Sequence, residues 1–311
     1  MAYRVEVEWS PAFELVVSLR AYVRGAPRQL ELDSGWWDAA RQRVGSNLVT
    51  EEEFHSSGWL YLFAWLCPER EDAGAFLRWL ASLSAGQFYE RLAPHLTKGN
   101  PGLPQDLGAS LEAAVRFMTA WHEGYFQQVN QAILQGLEAE AVAHHAEAAS
   151  AASEMLFERL THGIRLTAPP EVERVLLVPQ YHYRPAEIQQ NWKGMRLCLY
   201  PADVLPPAPG DPPQALLRLT RALDDESRLR ILRLLSRKPL TFTEVLHETG
   251  LTRGTVHHHL AALRAAGLIA EEDVYNGPTT YRLRLSALDD LNQQLRIFLA
   301  EAGNEKGTNP T

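Results

Sequence analysis

The first residues alternate. Tyr3, Val5, Val7 and Trp9 fall on one side of an extended chain and Arg4, Glu6 and Glu8 on the other, the period of a half-buried strand. Two apolar runs, ERVLLVP (173–179) and MRLCLY (195–200), predict further strands and so a small sheet. Between the first strand and these two, residues 105–168 lack proline and are rich in Ala, Glu, Gln and Leu, which predicts two or three helices. The segment 201–213, PADVLPPAPGDPP, holds six prolines; it precludes a continuous helix and reads as a semi-rigid linker.

Beyond that linker the periods shorten. QALLRLTRAL predicts a short helix, and Asp225 suits the N-cap of ESRLRILRLLSRK, where Leu229, Leu232 and Leu235 are among the apolar positions. TFTEVLHETG predicts a helix ended by Gly250; in LTRGTVHHHLAALRAAG, Thr252 can cap a second and Gly267 can end it. Two helices joined at Gly250-Leu251 make a helix-turn-helix. LIAEEDVYNGPTTYRLRL predicts a hairpin, or wing, with Asn276-Gly277 as the turn and Tyr281, Leu283 and Leu285 alternating with Arg282 and Arg284. A last helix starts at Ser286, where Asp289 completes an S-x-x-D pattern, and gathers Leu288, Leu291, Leu295, Phe298 and Leu299 on one side. The expected fold is mainly α with small β elements: a helical N-terminal domain (1–200) with a minor sheet, the linker (201–213), a winged helix-turn-helix (214–301) and a flexible tail (302–311).

Composition sharpens this division. The net charge of the 311-residue chain is −8, but residues 1–213 carry 17 Lys+Arg against 26 Asp+Glu and residues 214–301 carry 12 against 11. The acidity therefore belongs to the first part. All eight tryptophans, and 24 of the 28 aromatic residues, precede residue 214, so the two parts have different cores. Cys67 and Cys198 form no CxxC pair, which argues against a disulfide framework or a cysteine zinc site and fits a reducing cytoplasm. The start MAYRVEVEWS is not expected to be a signal peptide, and the apolar run Trp59 to Cys67 is about half a membrane span, so no membrane association is expected.

The stretch LDDESRLRILRLLSRKPLTFTEVLHETGLTRGTVHHHLAALRAAGLI, with a hairpin ending in YRL, resembles the winged helix-turn-helix of ArsR-type bacterial transcription regulators across about residues 214–300. The resemblance implies that the second helix of the motif enters the major groove of double-stranded DNA, that the hairpin flanks it, and that terminal helices build a homodimer. VEWSPAFELVVSLRAY and LLVPQYHYRP further resemble the accessory domain of larger ArsR-like regulators, and an unidentified small-molecule effector is the expected partner there.

Along the second helix, Val256, His259, Leu260 and Leu263 share a face by i, i+3, i+4 and i+7 spacing, so His259 should pack inward. Arg253, Gly254, His257, His258, Ala261 and Arg264 take the opposite surface, with the small residues allowing close backbone approach. The expected DNA contacts are Thr252, Arg253, Gly254, Thr255, His257, His258 and Arg264, with Arg282 on the wing; Arg253 suits bidentate pairing to guanine. The wing departs from the family: it begins Glu271-Glu272-Asp273 and lacks tip arginines, so backbone attraction should come from Arg282 or Arg284 and the helix starting near Arg228. Leu288, Leu291 and Leu295 are the expected dimer contacts, though burial within one subunit would produce the same pattern. The low positive charge also keeps open a winged helix that binds protein.

Metal and catalytic chemistry find little footing. Two histidines converge on one ion when about four residues apart on a helix, and no pair among the eleven has that spacing. No metal and no cofactor are expected. His144-His145 should be exposed. Phosphate-loop, dinucleotide, zinc-protease and serine-hydrolase signatures are absent, and Glu51-Glu52-Glu53 beside His55 reads as a solvated helix start, so no catalytic residues are assigned and the protein is not expected to be an enzyme. Trp36, Trp37, Trp59, Tyr61, Phe63, Trp65, Phe76, Trp79, Trp121, Tyr125 and Phe126 could line an effector pocket, but spacings such as Phe76 with Trp79 favour ordinary core.

Overall fold

A computed structural model describes residues 3–25, 30–45, 48–97, 104–148, 153–166, 171–273 and 278–304. In chain order the elements are β1 (Arg4–Val7), α1 (Pro11–Val23), α2 (Trp36–Val44), α3 (Glu51–Ser56), α4 (Leu60–Leu66), α5 (Ala73–Ser82), α6 (Ala85–Leu92), α7 (Leu107–Gly124), α8 (Gln131–Ala148), α9 (Ser153–Leu160), β2 (Ile164–Leu166), β3 (Arg174–Gln180), β4 (Ile188–Trp192) and β5 (Met195–Pro201). There follow α10 (Gln214–Leu223), α11 (Glu226–Leu235), β6 (Leu240–Thr241), α12 (Phe242–Thr249), α13 (Arg253–Ala265), β7 (Ile269–Asp273), β8 (Thr280–Leu283) and α14 (Ser286–Asn304). The fold is mainly α with two small sheets, as the sequence patterns predict.

The chain forms two compact units, one of residues 1–150 with 170–204 and one of 151–169 with 205–311. A single cut at the proline-rich linker is therefore not what the structure shows. The chain also crosses between units on either side of 151–169, because β2 pairs in parallel with β7 (Ile164 opposite Glu271, Leu166 opposite Asp273) and joins the winged-helix sheet. Gly163 makes that docking sterically feasible. At φ +109 a Cβ would sit 2.6 Å from Arg284 Cδ and 3.0 Å from the Ile269 carbonyl.

In the first unit, β1, β3 and β5 run parallel and β4 adds antiparallel to β5, giving the order β1-β3-β5-β4. Val5 and Val7 are buried as the alternation requires; β5 is buried along its whole length and β3 is nearly so, the signature of parallel strands covered by helices. Helices α1 and α8 supply that cover. The two stretches that resemble an accessory domain meet in one buried junction. Glu14 of α1 accepts the backbone N–H groups of Tyr181 (3.2 Å) and His182 (3.0 Å) and binds His182 Nδ1 at 2.5 Å. His182 Nε2 in turn meets the Tyr125 hydroxyl (2.7 Å), which also accepts from Trp36 Nε1 (2.5 Å). These bonds tie α1, α2 and α7 to the loop after β3.

The second unit contains the sheet β2-β7-β8-β6 against α10 to α14. The expected turn Asn276-Gly277 lies outside the described residues. Helix α14 runs to Asn304, past the expected boundary at 301.

Candidate nucleic-acid interface

Each helix of the motif starts on a side-chain cap. Asp225 accepts the Arg228 N–H at 2.9 Å, and this bond holds its carboxyl below the usual range. Thr241 and Glu244 form a reciprocal capping box on α12, with Glu244 accepting from the Thr241 N–H at 2.7 Å. Gly250 ends α12 at φ +65 with open space around its missing Cβ, so the position demands only the left-handed backbone. Thr252 then caps α13, accepting from the Thr255 N–H (3.3 Å) while the two hydroxyls share a 2.7 Å hydrogen bond.

The inward face of α13 is as the periodicity predicts. Val256, His259, Leu260 and Leu263 are buried among Ile231, Leu235, Val245, Leu268 and Ile269. Each such aliphatic side chain contributes roughly 1.5–3 kcal/mol, which fixes the helix rotation. His259 Nδ1 lies 3.9 Å from the Asp225 carboxylate, yet burial outweighs that attraction and pushes its pKa down. The third histidine is thus a neutral core residue.

The outward face carries Thr252, Arg253, Gly254, His257, His258 and Ala261, all exposed, with Thr255 half-buried. The Arg253 guanidinium lies over the Phe242 ring, 5.4 Å from its centroid, which anchors it beside the start of α12. Among the described residues nothing lies within 4 Å of where a Gly254 Cβ would be, so another backbone can approach there. Among the described residues there is no group of three or more His, Cys, Asp or Glu able to hold a metal.

Two expected contacts are placed elsewhere. Arg264 is buried; it donates to the His162 carbonyl at 2.9 Å and approaches Glu271 at 3.5 Å, so it braces α13 against β7 and the β2 segment. Arg282 donates to Glu158 of α9 at 3.0 Å. The same carboxylate takes Arg165 at 2.7 Å and lies 3.7 Å from Arg284, so one glutamate gathers three arginines beside the wing. Arg284 also donates to the Gly267 carbonyl (2.7 Å), and Arg228 donates to the carbonyls of Ala222 and Arg221 (both 2.8 Å). The cations expected to attract phosphate are thus mostly committed within the unit. Glu158 had no signal in the sequence, since only the β2–β7 pairing brings α9 to the wing.

On α14, Leu288 and Leu295 are 40% exposed and Leu299 63%, and at ~100° per residue they lie within about 20° of one line. Leu291 instead packs partly against the core of its own unit. Of the N-terminal aromatics, Trp59, Tyr61, Phe63, Phe76, Trp121 and Phe126 are core, whereas Trp36, Trp37, Trp65, Trp79 and Tyr125 are half-buried. Glu51 to Glu53 form the exposed first turn of α3, where Glu53 closes a capping box with Thr50. His145 is exposed, but His144 is half-buried between Glu140 (3.3 Å) and Glu147 (3.6 Å). No described helix is long and apolar enough to cross a membrane.

Residues 225–271 match the family model for bacterial regulatory proteins of the arsR family, so the winged helix-turn-helix of this chain is of the arsR type. Among solved structures, the chain is similar to an ArsR-like transcriptional regulator from a Rhodococcus species, at 26% identity over 29% of this chain and 85% of that one, with a TM-score of 0.27. It is also similar to a homodimeric winged helix-turn-helix DNA-binding domain (fragment 1-100) from Mycobacterium bovis, described as a possible ArsR-family transcriptional regulator, at 23% identity over 30% and 82% of the two chains, with a TM-score of 0.22. No curated protein matches the chain.

Proposed function

We propose that the chain is a sequence-specific DNA-binding transcription regulator of the bacterial cytoplasm. It acts as a homodimer that places α13 in the major groove, and the observation that carries this reading is the outward face of α13. Arg253, Gly254, His257 and His258 are exposed together on a helix whose rotation is fixed by Val256, His259, Leu260 and Leu263, and no described residue covers Gly254. Arg253 pairs with guanine O6 and N7, the two histidines donate to base or phosphate acceptors, and the Thr252 and Thr255 hydroxyls stand at the helix start beside the DNA backbone. The exposed line of Leu288, Leu295 and Leu299 forms the dimer seam, and the two recognition helices then meet half-sites about 34–36 Å apart. The first unit senses a small molecule.

A second reading, a winged helix that binds protein, is favoured by the internal pairing of Arg264 and Arg282. Fluorescence anisotropy with a labelled duplex separates the two. DNA binding predicts an affinity that falls linearly with salt on a log–log plot and a loss of sequence preference in Arg253→Ala; absence of any salt-dependent DNA affinity would remove the first reading.

A further inference from the structure

At the amino ends of β1, β3 and β5 a surface cavity of about 650 Å³ is lined by Tyr3, Arg4, Trp65, His95, Glu173, Arg174, Lys193, Gly194 and Met195. That volume lies within the range small-molecule sites occupy. Its cations are arranged, not scattered. Glu6 of β1 binds Arg4 Nε at 2.7 Å and Arg174 Nε at 3.2 Å, and the Arg174 guanidinium lies over the Trp65 indole, 5.1 Å from the ring centroid. The His95 ring meets the same indole edge-on at 6.1 Å, and burial together with Arg174 pushes its pKa down, so it adds a neutral imidazole. The Lys193 N–H donates to the His95 carbonyl at 2.8 Å, which fixes the β4–β5 turn against this wall. The Lys193 ammonium itself is exposed and has no carboxylate partner among the described residues.

Charge and shape together define the ligand. Among the described residues of this wall, Arg4, Arg174 and Lys193 stand with two carboxylates, Glu6 and Glu173, which leaves one positive charge over in a part of the chain that carries 17 Lys+Arg against 26 Asp+Glu. A guanidinium already placed over an indole and paired to Glu6 can take a flat ring on the side that lines the cavity, and its placement lowers the side-chain entropy lost on binding. We propose that this cavity binds an aromatic monocarboxylate, with the ring stacked on Arg174 over Trp65 and the carboxylate on the Lys193 ammonium. The assignment rests on the sensing role given to the first unit and names its ligand class.

The test is titration calorimetry of the full-length protein with naphthoate, and with naphthamide as the uncharged isostere. One saturable site per chain is expected, weakened about tenfold by Lys193→Gln and by the loss of charge in naphthamide, and unchanged by Arg78→Gln at a remote exposed arginine. Arg174→Gln should abolish it, and the exposed Lys193 provides a variant whose folding is not at issue. Absence of binding heat with millimolar naphthoate, or equal affinity in Lys193→Gln, overturns the proposal. The heats are read without DNA, so failure of DNA recognition leaves them unaffected. Lys193-dependent binding that left DNA affinity unchanged would support the site and remove only the sensing role.

Discussion

Replacing Glu158 by Gln should weaken the fold and strengthen the electrostatic part of DNA binding. Glu158 holds Arg165 at 2.7 Å and Arg282 at 3.0 Å and lies 3.7 Å from Arg284, with side-chain exposures of 22% for Glu158, 26% for Arg282 and 12% for Arg284. The cluster is partly desolvated, so removing the carboxylate that the three arginines share leaves Arg282 and Arg284 under-compensated, at a cost of about 1–3 kcal/mol. The arginine so released becomes available to a phosphate. Each phosphate neutralised steepens the slope of log affinity against log salt by ~0.9, so the variant dimer should gain about two in slope while its Tm falls. Arg282→Gln alone should leave the slope nearly unchanged, whereas in the Glu158→Gln background it should remove the gain. Anisotropy titrations across a salt series and thermal melts of the four proteins complete the cycle. A full unit of slope lost in Arg282→Gln alone would show instead that Arg282 already contacts DNA and is not held back by Glu158.

Further consequences can be measured on the same protein. Gly250→Ala should cost about 1–2 kcal/mol through the left-handed φ alone, since the methyl meets open space, and denaturant unfolding would show it. Burial depresses the pKa of His259 against Asp225 at 3.9 Å, with Arg228 reinforcing it, so its stabilising contribution is complete above the ordinary histidine value of about 6.5 and is lost as pH falls through it. His259→Gln should therefore lose less Tm than wild type between about pH 7.5 and 5.5; an equal loss would place the titration elsewhere, with His95 or His122, whose pKa values are also lowered. Light scattering should show a dimer that Leu295→Asp converts to a monomer without loss of helical signal.

The helix-turn-helix was legible because its signals are local. Asp225, Thr252, Gly250 and Gly267 mark helix ends by capping chemistry, and the inward face of α13 follows from its period. What failed is what depends on distant chain. Arg253 and Arg264 stand only ~20° apart around the helix axis, so periodicity assigned them one surface. Their surroundings differ along the axis: at the C-terminal end the His162 carbonyl and Glu271 cover Arg264. Strand β2 is three residues long, too short for alternation to reveal, and β4 (IQQNW) presents Gln and Asn where strands favour β-branched residues. Arg282 was read as a strand's outer side chain because its partner, Glu158, lies 124 residues earlier.

Whether the exposed face of α13 reads DNA sequence is decided by enrichment of genomic fragments with purified wild type and an Arg253→Ala/His257→Ala variant at near-physiological salt. Wild type alone should recover a shared, two-fold symmetric site with half-sites one helical turn apart. Recovery of the same site by both proteins, or of none by either, would contradict it.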